Sequence, residues 1–393
     1  LALALVAAGA PVASAQEPTF AQKPPPAERD TQETEKVFTE EVRIPIFATD
    51  EKGRFDPTLE LDEVLILEDD VPQEPRSIRR IPASVLLVIG TGGDMNPAIR
   101  TGTSRAIALN LLSQLREGDQ IALIQFNTRV EGLQKWTTDK SRIEYALRER
   151  LKSGAGSKLS QAIILAASYF ENQPVGNRHL VLITDGVETP GRMSYKEALK
   201  VLEAESPEAR ARSAEAVRQL NAAQATVHVI SYTAFGRQII KERKEKVVMD
   251  IGPRAGGVAS SGIATAGIDP TLPPGMNRGG TSMPVVGGTI RFDPQMKRLN
   301  KAYEAATKRS EKQLAAFTEE TGGRLWLPTS GVDMVAMGGE VAREIGSQYV
   351  ITYRPKRPLA SAPPNEYRRI RVAPRRIGLE LRARRGYVVA SMR

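Results

Sequence analysis

Hydrophobic positions change their rhythm twice along the chain. Up to Ile81 they alternate with polar ones. "VFTEEVRIPIFATD" runs into the turn signal Asp50-Glu51-Lys52-Gly53, and "DEVLILEDDVPQEPRSIRRI" gives two further strands around a tight Asp69-Asp70 turn. Residues 38–81 therefore read as a small N-terminal β unit, too short to bury both of its faces alone. From Ala83 to residue 346 the grammar is that of alternating strands and helices. "ASVLLVIG", "DQIALIQFNTRV", "RHLVLITDG" and "ATVHVISY" are apolar runs suited to strands covered on both faces. Between and after them, "NPAIRTGTSRAIALNLLSQL", "SRIEYALRERL", "KLSQAIILAASYF", "SPEARARSAEAVRQLNAA", "QMKRLNKAYEAATKRSEKQLAAFTEETGG" and "VDMVAMGGEVAREIG" carry helical patterns, and "RLWLP" is a short strand. This alternation predicts a doubly wound, Rossmann-like α/β sheet with right-handed crossovers. From residue 347 to 393, "QYVITYRP", "EYRRIRVAP" and "LELRARRGYVV" give three strands with no helix between them. Strand-only segments at both ends predict one small β-sandwich with the α/β domain inserted in it.

Three stretches stand outside this pattern. Residues 1–16, "LALALVAAGAPVASAQ", are apolar and small, and "ASA" before Gln16 fits an A-x-A cleavage site; the stretch reads as a secretory signal peptide truncated at its start. It is too short for a membrane span and is broken by Gly9 and Pro11. Residues 17–37 are Pro-rich and polar, as in a disordered linker. The Gly/Pro/Ser-rich run over about 252–294 reads as a disordered insertion in the α/β domain.

Composition adds export and subtracts chemistry. The chain of 393 residues has no Cys, which removes disulfides, thiolate catalysis and Cys-based zinc sites. Net charge is +9, concentrated near the C-terminal end in Arg368, Arg369, Arg371, Arg375, Arg376, Arg382, Arg384 and Arg385 against Glu380. Such a cluster attracts nucleic acid or anionic membrane. Here the arginines alternate with Ile370, Val372, Leu379 and Leu381, so they read as solvated strand faces. With export, no nucleic-acid partner is expected, and no transmembrane span in the mature chain; the expected location is periplasmic or secreted.

Candidate chemistry centres on "IGTGGDM", where the first buried strand ends in a glycine-rich turn. A phosphate loop needs G-x-x-x-x-G-K-[ST], and no Lys-Ser or Lys-Thr follows. A dinucleotide fingerprint begins at Gly90-Thr91-Gly92 but lacks its third glycine. The remaining reading joins this turn to "SGAGSKLSQAI", which opens a helix with Ser157, and to "LITDG", which ends a strand with Asp185. Hydroxyl and carboxylate oxygens from three loops above one sheet suit a hard cation such as Mg²⁺.

With these residues the sequence resembles the von Willebrand factor type A (VWA) fold, and most closely the VWFA-related family of acidobacteria, from about Val37 to Val389. The supporting segments are "FATDEKGRFDPTLELDEVLILEDDVPQEPRSI", "FTEETGGRLW", "IGSQYVITYRP" and "LRARRGYVV". The resemblance implies a metal-ion-dependent adhesion site of pattern D-x-S-x-S, a Thr and an Asp. Gly90 stands at the first Asp, Gly92 at the first Ser and Asp94 at the second; Ser157 replaces the Thr, and Asp185 matches. Asp94, Ser157 and Asp185 are thus the expected metal ligands of a degenerate site, with no cofactor or at most weak Mg²⁺ binding. On ligand count alone, restoring Gly90→Asp, Gly92→Ser and Asp94→Ser is expected to create Mg²⁺ affinity.

The resemblance implies binding or adhesion through an unidentified protein ligand at the C-terminal strand ends, not catalysis. The histidines, His179 and His228, both sit inside apolar strands, and no H-E-x-x-H, G-x-S-x-G or S-x-x-K signature has a suitable context. Two alternatives stand beside the binder: an envelope hydrolase using Asp94 and Asp185, and a purely structural scaffold.

Overall fold

Alternate residues of one seven-residue strand divide the centre of the protein into two cores. In the computed structural model, which describes residues 40–92, 97–239, 241, 294–363 and 365–389, strand β5 (Ser84–Gly90) is buried throughout. Val85, Leu87 and Ile89 point into one apolar cluster, and Leu86 and Val88 into the other. The strand period of two makes this split. The first cluster is completed by helix α1 (Pro97–Gln114), through Ile107, Ala108 and Leu111, and by the last helix (Gly331–Gly346), through Met334, Val341 and Ile345. The second is completed by α3 (Leu159–Tyr169), α5 (Pro207–Ala222) and α6 (Pro294–Thr321).

β5 pairs in parallel with β6 (Gln120–Phe126) on one side and β8 (Arg178–Thr184) on the other. β9 (Thr226–Ser231) and the two-residue β10 (Leu325–Trp326) extend the sheet beyond β8. The sixth strand, β7 (Val130–Thr137), lies antiparallel at the β6 edge. The expected doubly wound α/β sheet is therefore present, with all five parallel strands ending on one face.

Two elements lie outside those that the hydrophobic pattern predicts. β7 buries Leu133 fully and exposes Glu131 and Gly132, so an edge strand with register shifts shows little alternation. Its Trp136 is pinned instead by an indole N–H donated to the Tyr169 carbonyl at 2.8 Å. Helix α4 (Tyr195–Glu203) is opened by a capping box, Ser194 with Glu197, a signal that was readable in "SYKE". Helix α2 (Lys140–Tyr145) is capped by Asp139 and widens into a looser turn over Ala146–Arg150. The last helix above is α7.

The two chain ends build the sandwich. β1 (Val42–Asp50) pairs with β11 (Tyr349–Tyr353) and β13 (Leu379–Ala383), and β11 pairs with β4 (Pro75–Arg79). The second sheet joins β14 (Gly386–Val388), β12 (Tyr367–Pro374), β2 (Val64–Glu68) and β3 (Val71–Gln73). Ile44, Ile46, Val64, Ile66, Ile351, Ile370 and Tyr387 from both sheets share one core. The Asp69-Asp70 turn has both residues at positive φ (48° and 66°), the geometry of a two-residue hairpin.

Two expectations about the C-terminal segment are corrected. Four strands replace the expected three, because the last run breaks at Arg384-Arg385 and crosses from the first sheet to the second. The arginines are also not all solvated. Arg369 and Arg371 lie on the exposed face against Asp70, but Arg368 has no exposed surface and sits inside the sandwich. Its Nη1 reaches Glu68 at 3.0 Å and the Arg357 carbonyl at 2.7 Å, and its Nη2 reaches the Pro358 carbonyl at 3.0 Å. Tyr353 and Tyr387 donate to the other Glu68 oxygen at 2.5 and 3.1 Å. A buried cation is tolerated because every polar partner is supplied.

The signal segment, the linker and the 252–294 insertion lie outside the described residues. Among the described residues no helix is long and apolar enough to cross a membrane.

Candidate functional site

At the strand-end face the loops meet backbone against backbone. Thr91 follows β5 and is fully buried. Its N–H donates to the Phe126 carbonyl at 2.9 Å, and its own carbonyl accepts from the Gly154 N–H at 3.2 Å. Asn127, after β6, donates to the Thr91 hydroxyl at 3.2 Å. One turn is thereby tied to the ends of two others.

Gly92 comes next, and a Cβ built there would lie 1.6 Å from the Gly156 carbonyl oxygen. Gly156 has φ +99° and itself abuts the Gly191 backbone. At Gly90 a Cβ would lie 2.9 Å from the Phe126 ring and 3.2 Å from the Ile183 carbonyl. These contacts leave backbone where side-chain ligands would have to stand. A Cβ at Gly92, and less severely at Gly90, would have to displace a neighbour, a packing cost that ligand counting does not include.

Ser157 is held by a reciprocal backbone pair, its N–H to the Thr189 carbonyl at 2.8 Å and the Thr189 N–H to its carbonyl at 3.1 Å. The hydroxyls of Ser157 and Thr189 are both buried and find no hydrogen-bond partner among the described residues. Asp185, at the end of β8, is buried and already engaged. One carboxylate oxygen accepts from the Val187 N–H at 3.2 Å and the other from the Tyr303 hydroxyl at 3.3 Å, while Ser310 donates to its carbonyl at 2.8 Å. Helix α6 thus closes over the residue from above the sheet. Ser157 and Asp185 stand on neighbouring loops of one face; Asp94 lies outside the described residues. Sequence reasoning missed Thr189 and Tyr303, which no motif marks. Among the described residues no three His, Asp or Glu side chains are grouped to hold a metal ion.

The two histidines lie towards the other end of the sheet. His179 is the second residue of β8 and His228 the third of β9; both are closed to solvent, at 0% and 1% exposure. Their rings stack with centroids 5.3 Å apart, His179 Nδ1 lies 3.1 Å from His228 Nε2, and His179 Nε2 lies 2.7 Å from the Asn177 amide oxygen. Glu344 of α7 approaches His228 Nδ1 at 3.5 Å and is paired with Arg382 of β13. Burial pushes His179 down to about 3, helped by Arg116. It also holds His228 well below the ordinary range, with His179, Arg382 and Arg324 adding to the effect. Glu344 is raised by burial against the pull of Arg382 and Arg324. The cluster joins the α/β sheet to the sandwich through Arg382, whose Nε also donates to the Gly322 carbonyl at 3.1 Å.

Residues 85–188 match the family model of the von Willebrand factor type A domain. Among solved structures, the chain is similar to the vWF domain of the type V pili tip protein Mfa5 from Porphyromonas gingivalis. Identity is 22% over 28% of this chain and 40% of that chain, with a TM-score of 0.26. It is similar to the conserved hypothetical protein BatB from Bacteroides thetaiotaomicron, at 20% identity over 38% and 66% of the two chains and a TM-score of 0.27. A von Willebrand factor type A protein from Catenulispora acidiphila aligns at 10% identity over 90% and 74%, with a TM-score of 0.38. No curated protein matches the chain.

Proposed function

We propose that this chain, which carries a von Willebrand factor type A domain over residues 85–188, is an exported binding module. It engages a protein partner through the loops at its C-terminal strand ends, and it does so without a metal ion. The observation that carries the reading is the approach of Gly92 to the Gly156 carbonyl. It closes the space for side-chain ligands and, in the same contact, locks two loops into one preorganised surface. Preorganised surfaces lose little entropy on binding. The buried hydroxyls of Ser157 and Thr189 are neutral oxygens, and the Asp185 carboxylate is already engaged by Tyr303 and the Val187 N–H, so the described donors hold Mg²⁺ poorly against its hydration shell.

Binding is preferred to hydrolysis on the state of Asp185. A hydrolase built on Asp185 needs that carboxylate open to substrate, and Tyr303 and Val187 occupy it. The histidines are buried away from the strand ends. Export rests on the N-terminal apolar stretch and its "ASA" site.

The test is capture from an envelope fraction with the immobilised protein and cross-linker, in excess EDTA and with added Mg²⁺. Capture is expected to be equal in both, and to be lost when the exposed strand-end residues Arg129 and Arg192 are both changed to Glu. Capture that requires Mg²⁺, or that persists undiminished in the variant, would sink the reading.

A further inference from the structure

Beside the glycine turn, α1 and the segment after the widened helical turn enclose an open crevice of about 370 Å³, lined by Thr101, Gly102, Arg105, Leu151, Lys152 and Ser153. Among the described lining residues two are cations and none is an acid. Arg105 is half-buried, and its guanidinium is fixed in place by Nε donating to the Leu147 carbonyl at 2.7 Å. That single bond leaves the terminal nitrogens of the fork for another acceptor. Lys152 is exposed, but the backbone that carries it is fixed: its N–H donates at 2.7 Å to the buried side chain of Gln125, next to the end of β6. Two residues on, the Gly154 N–H bonds the Thr91 carbonyl. The crevice is therefore anchored to the same knot of loops that forms the strand-end surface. Among the described residues no carboxylate pairs with Arg105 or Lys152.

The contrast with the rest of the molecule sharpens this. A second open hollow, about 420 Å³ on the sandwich, is lined by Glu60 and Asp62 as well as Arg375, so its charges are mixed. In the sandwich Arg357, Arg369, Arg371 and Arg376 all meet carboxylates. At the strand ends the described acids are already committed: Asp185 to Tyr303, and Glu188 to the Ser160 N–H at the start of α3. Among the described residues, positive charge is left over in the crevice.

We propose that this crevice receives an acidic side chain from an extended segment of the protein partner, with Arg105 and Lys152 as its charge-bearing contacts. The proposal rests on the strand-end binding reading given above. Arg105 offers a planar fork suited to bidentate carboxylate recognition, and Lys152 a mobile point charge at the rim. The buried Leu151 and the hydroxyls of Thr101 and Ser153 give the floor and wall room for the residues flanking the acid.

The test is fluorescence anisotropy on the full chain with a labelled octapeptide alternating Gly and Asp, and its Asn counterpart, at low and moderate salt. The Asp peptide is expected to bind and the Asn peptide not. Lys152→Gln, a change at an exposed side chain that leaves the melting temperature unmoved, is expected to weaken binding several-fold. Adding Arg105→Gln should weaken it at least about tenfold and flatten the salt dependence. Changing Arg76 and Arg79 of β4 to Gln is the charge-matched control and should leave binding nearly intact. Equal loss in the control, or no loss with Lys152→Gln and Arg105→Gln together, would reduce the effect to general attraction to a basic protein and overturn the proposal. So would pyrophosphate, or phosphatidylglycerol vesicles, binding through these two residues while the Asp peptide does not. If the peptide fails but Arg129→Glu with Arg192→Glu still abolishes envelope capture, this crevice is excluded and strand-end binding stands. If that capture is also unaffected, both fall.

Discussion

The ring of His179 can only receive the hydrogen bond that joins it to His228. Asn177 donates its amide nitrogen to the Ile81 carbonyl at 2.7 Å, which turns its oxygen towards His179 Nε2. Nε2 therefore carries the proton of the neutral ring, Nδ1 is a bare acceptor, and His228 Nε2 is the donor across the 3.1 Å contact. His228 Nδ1 is then left as a lone pair facing Glu344, with no hydrogen-bond partner.

Acid should therefore unfold the protein through this pair. Both histidines have folded pKa values below the ordinary 6.5, so below that pH the unfolded chain binds protons that the folded one refuses. The stability they contribute is present above about pH 6.5 and is lost as pH falls below it, for His179 until about 3, by about 1.4 kcal/mol per pH unit for each proton. Glu344, raised by burial, works in the opposite sense just above its ordinary range and offsets part of the loss. Urea unfolding between about pH 7 and pH 5 measures the slope. His228→Leu should reduce it by about half, and an unchanged slope would refute the assignment.

Restoring the missing side chains at the strand-end turn should damage the fold. Gly92→Ser sets a Cβ against the Gly156 carbonyl, which is backbone and cannot swing aside. A cost of about 1–3 kcal/mol is expected, from forced shifts in a packed region. The variant combining Gly90→Asp, Gly92→Ser and Asp94→Ser should melt earlier and show no Mg²⁺ heat by calorimetry. Tight Mg²⁺ binding at an unchanged melting temperature would show that the loops open freely.

Inside the sandwich, Arg368→Ala strands Glu68 as a buried, uncompensated carboxylate and should cost about 3–5 kcal/mol. Replacing both partners, with Glu68→Leu and Arg368→Met, should cost less than the single change. Denaturant titration of the two proteins decides the order, and the reverse order would mean the pair is not the anchor.

Arg382→Ala should loosen the seam between sandwich and α/β sheet, because it removes the donors to both Glu344 and the Gly322 carbonyl. A loss of about 2–4 kcal/mol is expected, mostly from Glu344, which among the described residues keeps only the more distant Arg324 at 3.9 Å as a cationic partner. Glu344→Gln in the same protein should recover part of it. A double variant no better than the single one would count against this account.

How far the sequence could be read follows from what each signal measures. The continuous apolar runs at Val85–Ile89 and Leu180–Ile183 had one physical meaning, a strand covered on both faces, and the central sheet followed from them. Pairing of the two chain ends was readable from strands that had no other partner. The edge strand β7 was hidden because half of it faces water, and the break at Arg384 because a buried arginine looks like a surface one in the letters. At the candidate site, the loops that carry Ser157 and Asp185 were legible from turn chemistry. Tyr303, 118 residues further on in a helix, reaches Asp185 only through tertiary packing, and the Gly92–Gly156 contact has no sequence signature at all.

Glu68 and its donor Tyr353 are 285 residues apart in the chain, and that separation sets an order of events during synthesis. β1 to β4 leave the ribosome long before β11 to β14, which pair with them. The α/β domain between them closes strand by strand from nearer contacts and can fold in the meantime. Until the C-terminal strands emerge, Ile44, Ile46, Val64 and Ile66 face solvent on unpaired edges. A nascent half-sandwich of this kind invites strand addition by a neighbouring copy, so the protein is most vulnerable to self-association before β11 to β14 are released.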